Sequence, residues 1–143
     1  MYFYQLLVDD KYHLVLQFTM NKNNTCKRAF KTAWFNKAAK KAKIKDTDLS
    51  LAIQQVMEGQ GTNLGGGVFK KRLNDNNHRS IILAKGECYW IYEYLFAKKD
   101  LDNIDDNELH EFRKLAKLYA GLSVEQVEKL VKNKSLIEIY YDQ

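Results

Sequence analysis

The spacing of apolar residues changes several times along the chain, and each change predicts an element. Residues 2–8 and 13–18 are rich in aromatic and branched side chains, with Asp9-Asp10-Lys11-Tyr12 between them, which predicts a β-hairpin. The polar run Asn21-Lys22-Asn23-Asn24-Thr25 reads as a linker, and Met20 just before it offers an alternative start. Residues 1–27 are therefore expected to be an N-terminal extension, and residues 28–143 the folded domain.

Within that domain, residues 28–32 predict a short strand. Thr32 can cap a helix running to about Lys43, with Trp34, Ala38 and Ala42 spaced for its apolar face. Asp46 is expected to cap a second helix, because Leu49, Ile53 and Met57 recur at helical spacing beside Ala52 and Val56 until Gly59 and Gly61 end it. Gly65-Gly66-Gly67 reads as a flexible lead-in to three strands, at residues 68–73, 79–85 and 88–96. Asp75-Asn76-Asn77 turns between the first two, and Gly86 with Glu87 between the last two. Asp105 with Glu108, and Ser123 with Gln126, are capping boxes for two further helices, and residues 136–140 form a closing strand. Helices grouped around an antiparallel meander predict an α+β domain, with a central antiparallel sheet, an N-terminal helix pair and C-terminal helices.

Composition narrows the class. Apolar residues make up 45% of the 143, enough for a core and too many for a disordered tail. No apolar run reaches the length of a membrane span, and residues 1–8 lack the basic start of a signal peptide, so no membrane association is expected. Cys26 and Cys88 form no CxxC pair, and reduced thiols are the simpler reading, although one disulfide is permitted.

Charge is segregated rather than merely positive. Net charge is +5, but eight basic residues and no acid fall between Lys27 and Lys45, while six acids and no Lys or Arg fall between Asp100 and Glu111. That pattern predicts a dipolar surface with one face for a polyanion. The acidic run lacks the glycine and final glutamate of a calcium loop and is explained by carboxylates favouring a helix N-terminus. No metal site and no cofactor are expected. The triple glycine lacks the Gly-Lys-Ser/Thr ending of a phosphate loop, and His13, His78 and His110 are isolated.

The strongest chemical signal is Lys70-Lys71-Arg72 with Arg79. Alternation along a strand sends Lys70 and Arg72 to one face and Phe69, Lys71 and Leu73 to the other, and Arg79 opens the paired strand close to that end. Converging cations call for an anion. A solvated strand face with acids as neighbours is the alternative.

Three stretches then carry a family resemblance. Phe30-Lys31-Thr32-Ala33-Trp34-Phe35, Leu64-Gly65-Gly66-Gly67-Val68-Phe69-Lys70-Lys71-Arg72 and Phe96-Ala97-Lys98-Lys99-Asp100-Leu101-Asp102-Asn103-Ile104 resemble, in order and spacing, the RelE/HigB toxins of type II toxin–antitoxin systems, within the RelE/ParE superfamily. The likeness continues through Leu115-Ala116-Lys117 and Leu136-Ile137-Glu138-Ile139. It implies a microbial-ribonuclease-type fold, action in the cytoplasm, a cognate antitoxin (usually a helix-turn-helix protein of the HigA kind), and metal-independent cleavage of mRNA on the ribosome. Carried over residue by residue, it implies catalytic roles for Lys70, Arg72 and Arg79, and RNA contact at Lys98 or Lys99; Lys71 and Tyr94 are further expected RNA contacts. Asp105 falls where some members carry a proton-transferring tyrosine, so His78 and Tyr94 are the candidates to replace it. Lys37, Lys40, Lys41 and Lys43, on the first helix, are expected to meet ribosomal RNA. The superfamily also contains ParE-like inhibitors of DNA gyrase, which are not nucleases. That reading, and a degenerate toxin that only binds its antitoxin, are the alternatives.

Overall fold

The computed structural model describes residues 27–86 and 88–140. The expected hairpin at residues 2–18 lies outside them. The element order is β1 (Arg28–Thr32), α1 (Ala33–Lys41), α2 (Asp46–Met57), β2 (Thr62–Gly65), β3 (Val68–Leu73), β4 (His78–Lys85), β5 (Tyr89–Ala97), α3 (Asp106–Ala120), α4 (Val124–Lys132) and β6 (Leu136–Ile139). The strands form one six-stranded sheet in the order β2-β3-β4-β5-β1-β6. The α+β class holds, with one change to the sheet. Strands β2 to β5 are antiparallel, but β1 pairs with β5 in parallel, so the sheet is mixed.

Each sheet face carries a helix pair. Phe35 and Ala39 of α1 and Leu49, Ile53 and Val56 of α2 pack with Leu73, Ile82, Tyr92 and Leu95 on one face. On the other, Ala116 of α3, with Leu109 and Phe112 beside it, covers Val68, Ile81, Leu83 and Phe96, while Val127 of α4 covers Phe30, Ile91 and Leu136. Three predicted caps form: the Thr32 hydroxyl accepts from Phe35 N–H at 3.0 Å, Asp105 Oδ1 from Glu108 N–H at 2.7 Å, and Ser123 Oγ from Gln126 N–H at 3.1 Å.

Four expectations are corrected. The inward face of α1 is Phe35 and Ala39, with Ala38 and Ala42 only partly covered and Trp34 51% exposed. The helix starts where β1 ends, and that junction sets its rotation. The cap of α2 is Lys45 rather than Asp46, its N–H donating to Asp48 Oδ2 at 3.0 Å. The glycine run is a hairpin turn rather than a lead-in. β2 precedes it, and Gly66 and Gly67 take φ of 66° and 82°, the left-handed pair that tight hairpins need. A four-residue strand of Thr-Asn-Leu-Gly has no alternating apolar signal to reveal it. Cys88 is disulfide-bonded rather than reduced.

Candidate phosphate-binding face

Strands β3 and β4 build the site. Their register sets Lys70 opposite Ile81 and Arg72 opposite Arg79, and Ile81 lies in the core beneath α3. Alternation therefore puts Lys70, Arg72 and Arg79 on the face that α3 covers, beyond the start of that helix. All three border one depression of about 440 Å³, and Lys71 also reaches its rim. No carboxylate among the described residues pairs with any of the three cations.

The three differ in freedom. Arg72 is exposed and unengaged. The Lys70 ammonium donates to Asn103 Oδ1 at 3.3 Å, which ties it to the loop after β5. Arg79 is only 7% exposed, and its Nη1 donates to the carbonyls of Asn76 at 2.9 Å and His78 at 3.2 Å. A guanidinium this buried with only neutral acceptors keeps an uncompensated positive field, which an anion in the depression would complete. The same bonds pin the β3–β4 turn, where Asn74, Asp75 and Asn76 all have positive φ, at 56°, 51° and 71°. Such strain persists only where the surroundings hold it.

Sequence reasoning missed three neighbours. Gln60, just before the unforeseen β2, Thr62, which opens it, and Asp102, in the loop before α3, border the same depression. Among the described residues Asp102 is the one acid that borders it, and only the fold of that loop could reveal so, since in sequence Asp102 is one acid of a run.

Other expected residues lie elsewhere. His78 precedes Arg79 on β4, so alternation sends it to the opposite face, where its Nδ1 meets Asn74 Nδ2 at 3.2 Å. Tyr94 stacks on Trp34, makes a tilted contact with Phe112, and does not border the depression. Lys98 and Lys99 are exposed in the turn after β5. Lys37, Lys40, Lys41 and Lys43 are all exposed, whereas Arg28 and Lys31 of the same basic stretch are engaged, Arg28 with Glu128 and Glu138, and Lys31 with Asp46.

One titratable pair stands apart. The register of β5 slips between Ile81 and Ile82, leaving Glu93 as the extra residue of a bulge that turns it toward α3. There its Oε1 accepts from the Tyr119 hydroxyl at 3.3 Å. Burial pushes the Glu93 carboxyl up to about 7, against the opposing effect of that bond. Burial also raises the Tyr119 phenol, and the Glu93 charge adds to the effect. Among the described residues no group of three or more His, Cys, Asp and Glu is arranged to hold a metal ion, and no helix is long and apolar enough to cross a membrane.

Fold and site together define a small α+β protein whose sheet gathers three cations, unpaired with any carboxylate among the described residues, at one depression. The family model for the RelE toxin of the RelE/RelB toxin–antitoxin system matches residues 27–139. The chain belongs to that family, and membership implies an antitoxin partner. Neither the curated proteins nor the solved structures compared with it gave a match.

Proposed function

We propose that the chain is a ribosome-dependent mRNA endoribonuclease that inhibits translation. The observation that carries this reading is the convergence of Lys70, Arg72 and Arg79, without carboxylate partners, on one depression.

RNA supplies its own nucleophile, the 2′-hydroxyl. The enzyme must align it, take its proton, hold the charge that develops on the phosphate, and protonate the departing 5′-oxygen. Arg72, exposed and unengaged, is suited to clamp two phosphate oxygens at once. Arg79 adds a fixed charge from beneath, and a donor aimed at developing charge is worth about 3 kcal/mol. Asp102 is the group we assign to accept the 2′-hydroxyl proton, because its carboxylate borders the cationic depression. Lys70, held by Asn103, can return a proton to the leaving oxygen. His78, on the opposite face, drops out of this scheme.

The exposed lysines of α1 (Lys37, Lys40, Lys41 and Lys43) are assigned to ribosomal RNA, with Lys98 and Lys99 beside the mRNA path. Such contacts release counterions and make binding steeply salt-dependent. The antitoxin is proposed to be a helix-turn-helix protein of the HigA kind. The site of action is the cytoplasm, where the Cys88 disulfide would be reduced unless the fold protects it.

Induced expression followed by primer extension on cellular mRNA tests the proposal. Cuts inside translated codons are expected. DNA damage without mRNA cuts would replace it with the gyrase reading, and growth without either would leave only antitoxin binding.

A further inference from the structure

Trp34 is half exposed, and its position is not accidental. β1 stops at Thr32, so β5 continues past Tyr92 with no strand beside it on that edge. The first turn of α1 fills that place, and the Trp34 ring lies on the Tyr94 ring with centroids 5.2 Å apart and planes 22° apart. Tyr94 in turn packs against Phe112 of α3, with ring centroids 5.8 Å apart. The outcome is a flat indole fixed on one face by a supported aromatic stack and 51% open to solvent.

Its surroundings are cationic. Lys37 and Lys41 stand three and seven residues after Trp34, on the same flank of α1, and both are exposed. The helix has no acid along its length. Glu93, the acid next to Tyr94 in the chain, turns instead to Tyr119. An isolated surface tryptophan would need no explanation. One that is pre-stacked on a tyrosine and accompanied by exposed ammonium groups has the parts of a single-strand-binding surface: a ring for a base and cations for the adjoining phosphates.

We propose that Trp34, backed by Tyr94, is a stacking platform for an unpaired RNA base, with Lys37 and Lys41 holding the adjoining phosphates. The platform is distinct from the cationic depression. Lys70 is opposite Ile81 and Ile81 opposite Tyr94, so the two sites lie two strands apart, on either side of the region α3 covers. A base within a duplex has both faces occupied by its neighbours, so the platform takes single-stranded, bulged or flipped nucleotides. The inference rests on the proposed function in taking the ligand to be RNA, and it narrows the role given there to Lys37 and Lys41 to the phosphates beside one unpaired base.

The chain has two tryptophans, and Trp90 is buried, so the full chain carrying Trp90→Phe reports on Trp34 alone. A twelve-nucleotide oligouridylate or oligoadenylate is expected to quench that emission, and a blunt RNA duplex of equal length to quench it far less. Trp34→Ala should weaken single-strand binding roughly tenfold or more, and Trp34→Phe should retain most of it. Reversing Lys37 and Lys41 to glutamate should weaken binding and flatten its salt dependence. If Trp90→Phe disturbs the fold, the difference in emission between the parent and Trp34→Phe gives the same signal. Absence of quenching at low salt, parent-like RNA affinity in Trp34→Ala, or equal quenching by the duplex would each overturn the platform. Full RNA binding with loss of a co-purifying protein partner in Trp34→Ala would assign the surface to that partner instead. Arg72→Ala separates the two proposals: quenching should persist in it while mRNA cleavage falls about a hundredfold.

Discussion

Arg72 and Arg79 are direct cross-strand partners on β3 and β4, yet one guanidinium is exposed and unengaged while the other is buried under the turn it holds. Two like charges in register repel unless something separates their roles. The alanine variants should therefore behave differently. Arg72→Ala should lower mRNA cleavage about a hundredfold with the thermal midpoint unchanged. Arg79→Ala should lose cleavage and also about 1–3 kcal/mol of stability, because the carbonyls of Asn76 and His78 lose their donor. Cleavage assays beside thermal unfolding check both, and equal midpoints for the two variants would contradict the structural role given to Arg79.

Asp102 is tested by its sign. As the proton acceptor, Asp102→Asn should reduce the cleavage rate by roughly two to four orders of magnitude. If the carboxylate only moderates the field of the surrounding cations, its removal should tighten phosphate binding and leave the rate at or above that of the parent. Single-turnover cleavage on programmed ribosomes decides between them.

Glu93 makes stability depend on pH. Its carboxyl titrates at 4.5 when unperturbed and at about 7 in the fold. Between those values the unfolded chain has released the proton while the folded one still holds it, so stability falls as pH rises through that window and levels off above it. Glu93→Gln should flatten this dependence and stabilise the protein at pH 8 by about 1–2 kcal/mol, after allowance for partial solvent screening. Denaturant titrations at pH 5 and pH 8 measure it, and a parent that is no less stable at pH 8 would refute it.

Two features oppose a side chain at Gly66. Its φ is 66°, and an added Cβ would stand 2.8 Å from Arg113 Cγ. Arg113 reaches from α3 to donate to the Leu64 and Gly65 carbonyls, clasping the β2–β3 hairpin. Gly66→Ala should cost about 1–3 kcal/mol, whereas Gly86→Ala, with φ of 63° but no atom within 4 Å of the added methyl, should cost less. Equal losses in thermal unfolding would show that the contact with Arg113 contributes nothing.

Much of this architecture was legible in the chain itself. Period-two alternation separated Lys70 and Arg72 from Phe69 and Leu73, and the turn at Asp75-Asn76-Asn77 brought Arg79 to them, because strand geometry and turn chemistry are local. The caps at Thr32, Asp105 and Ser123 were readable for the same reason: each hydroxyl or carboxylate bonds a backbone N–H three residues on. Only tertiary structure decided the rest. That β1 lies parallel to β5 depends on packing between residues some sixty positions apart. The rotation of α1, which buries Phe35 and lays Trp34 on Tyr94, follows from where β1 stops. Asp102 joins the cations, and His78 does not, because a loop folds back in one case and a strand alternates away in the other. Charge and periodicity set which residues could meet an anion, and the sheet register and the course of its loops set which of them share one depression.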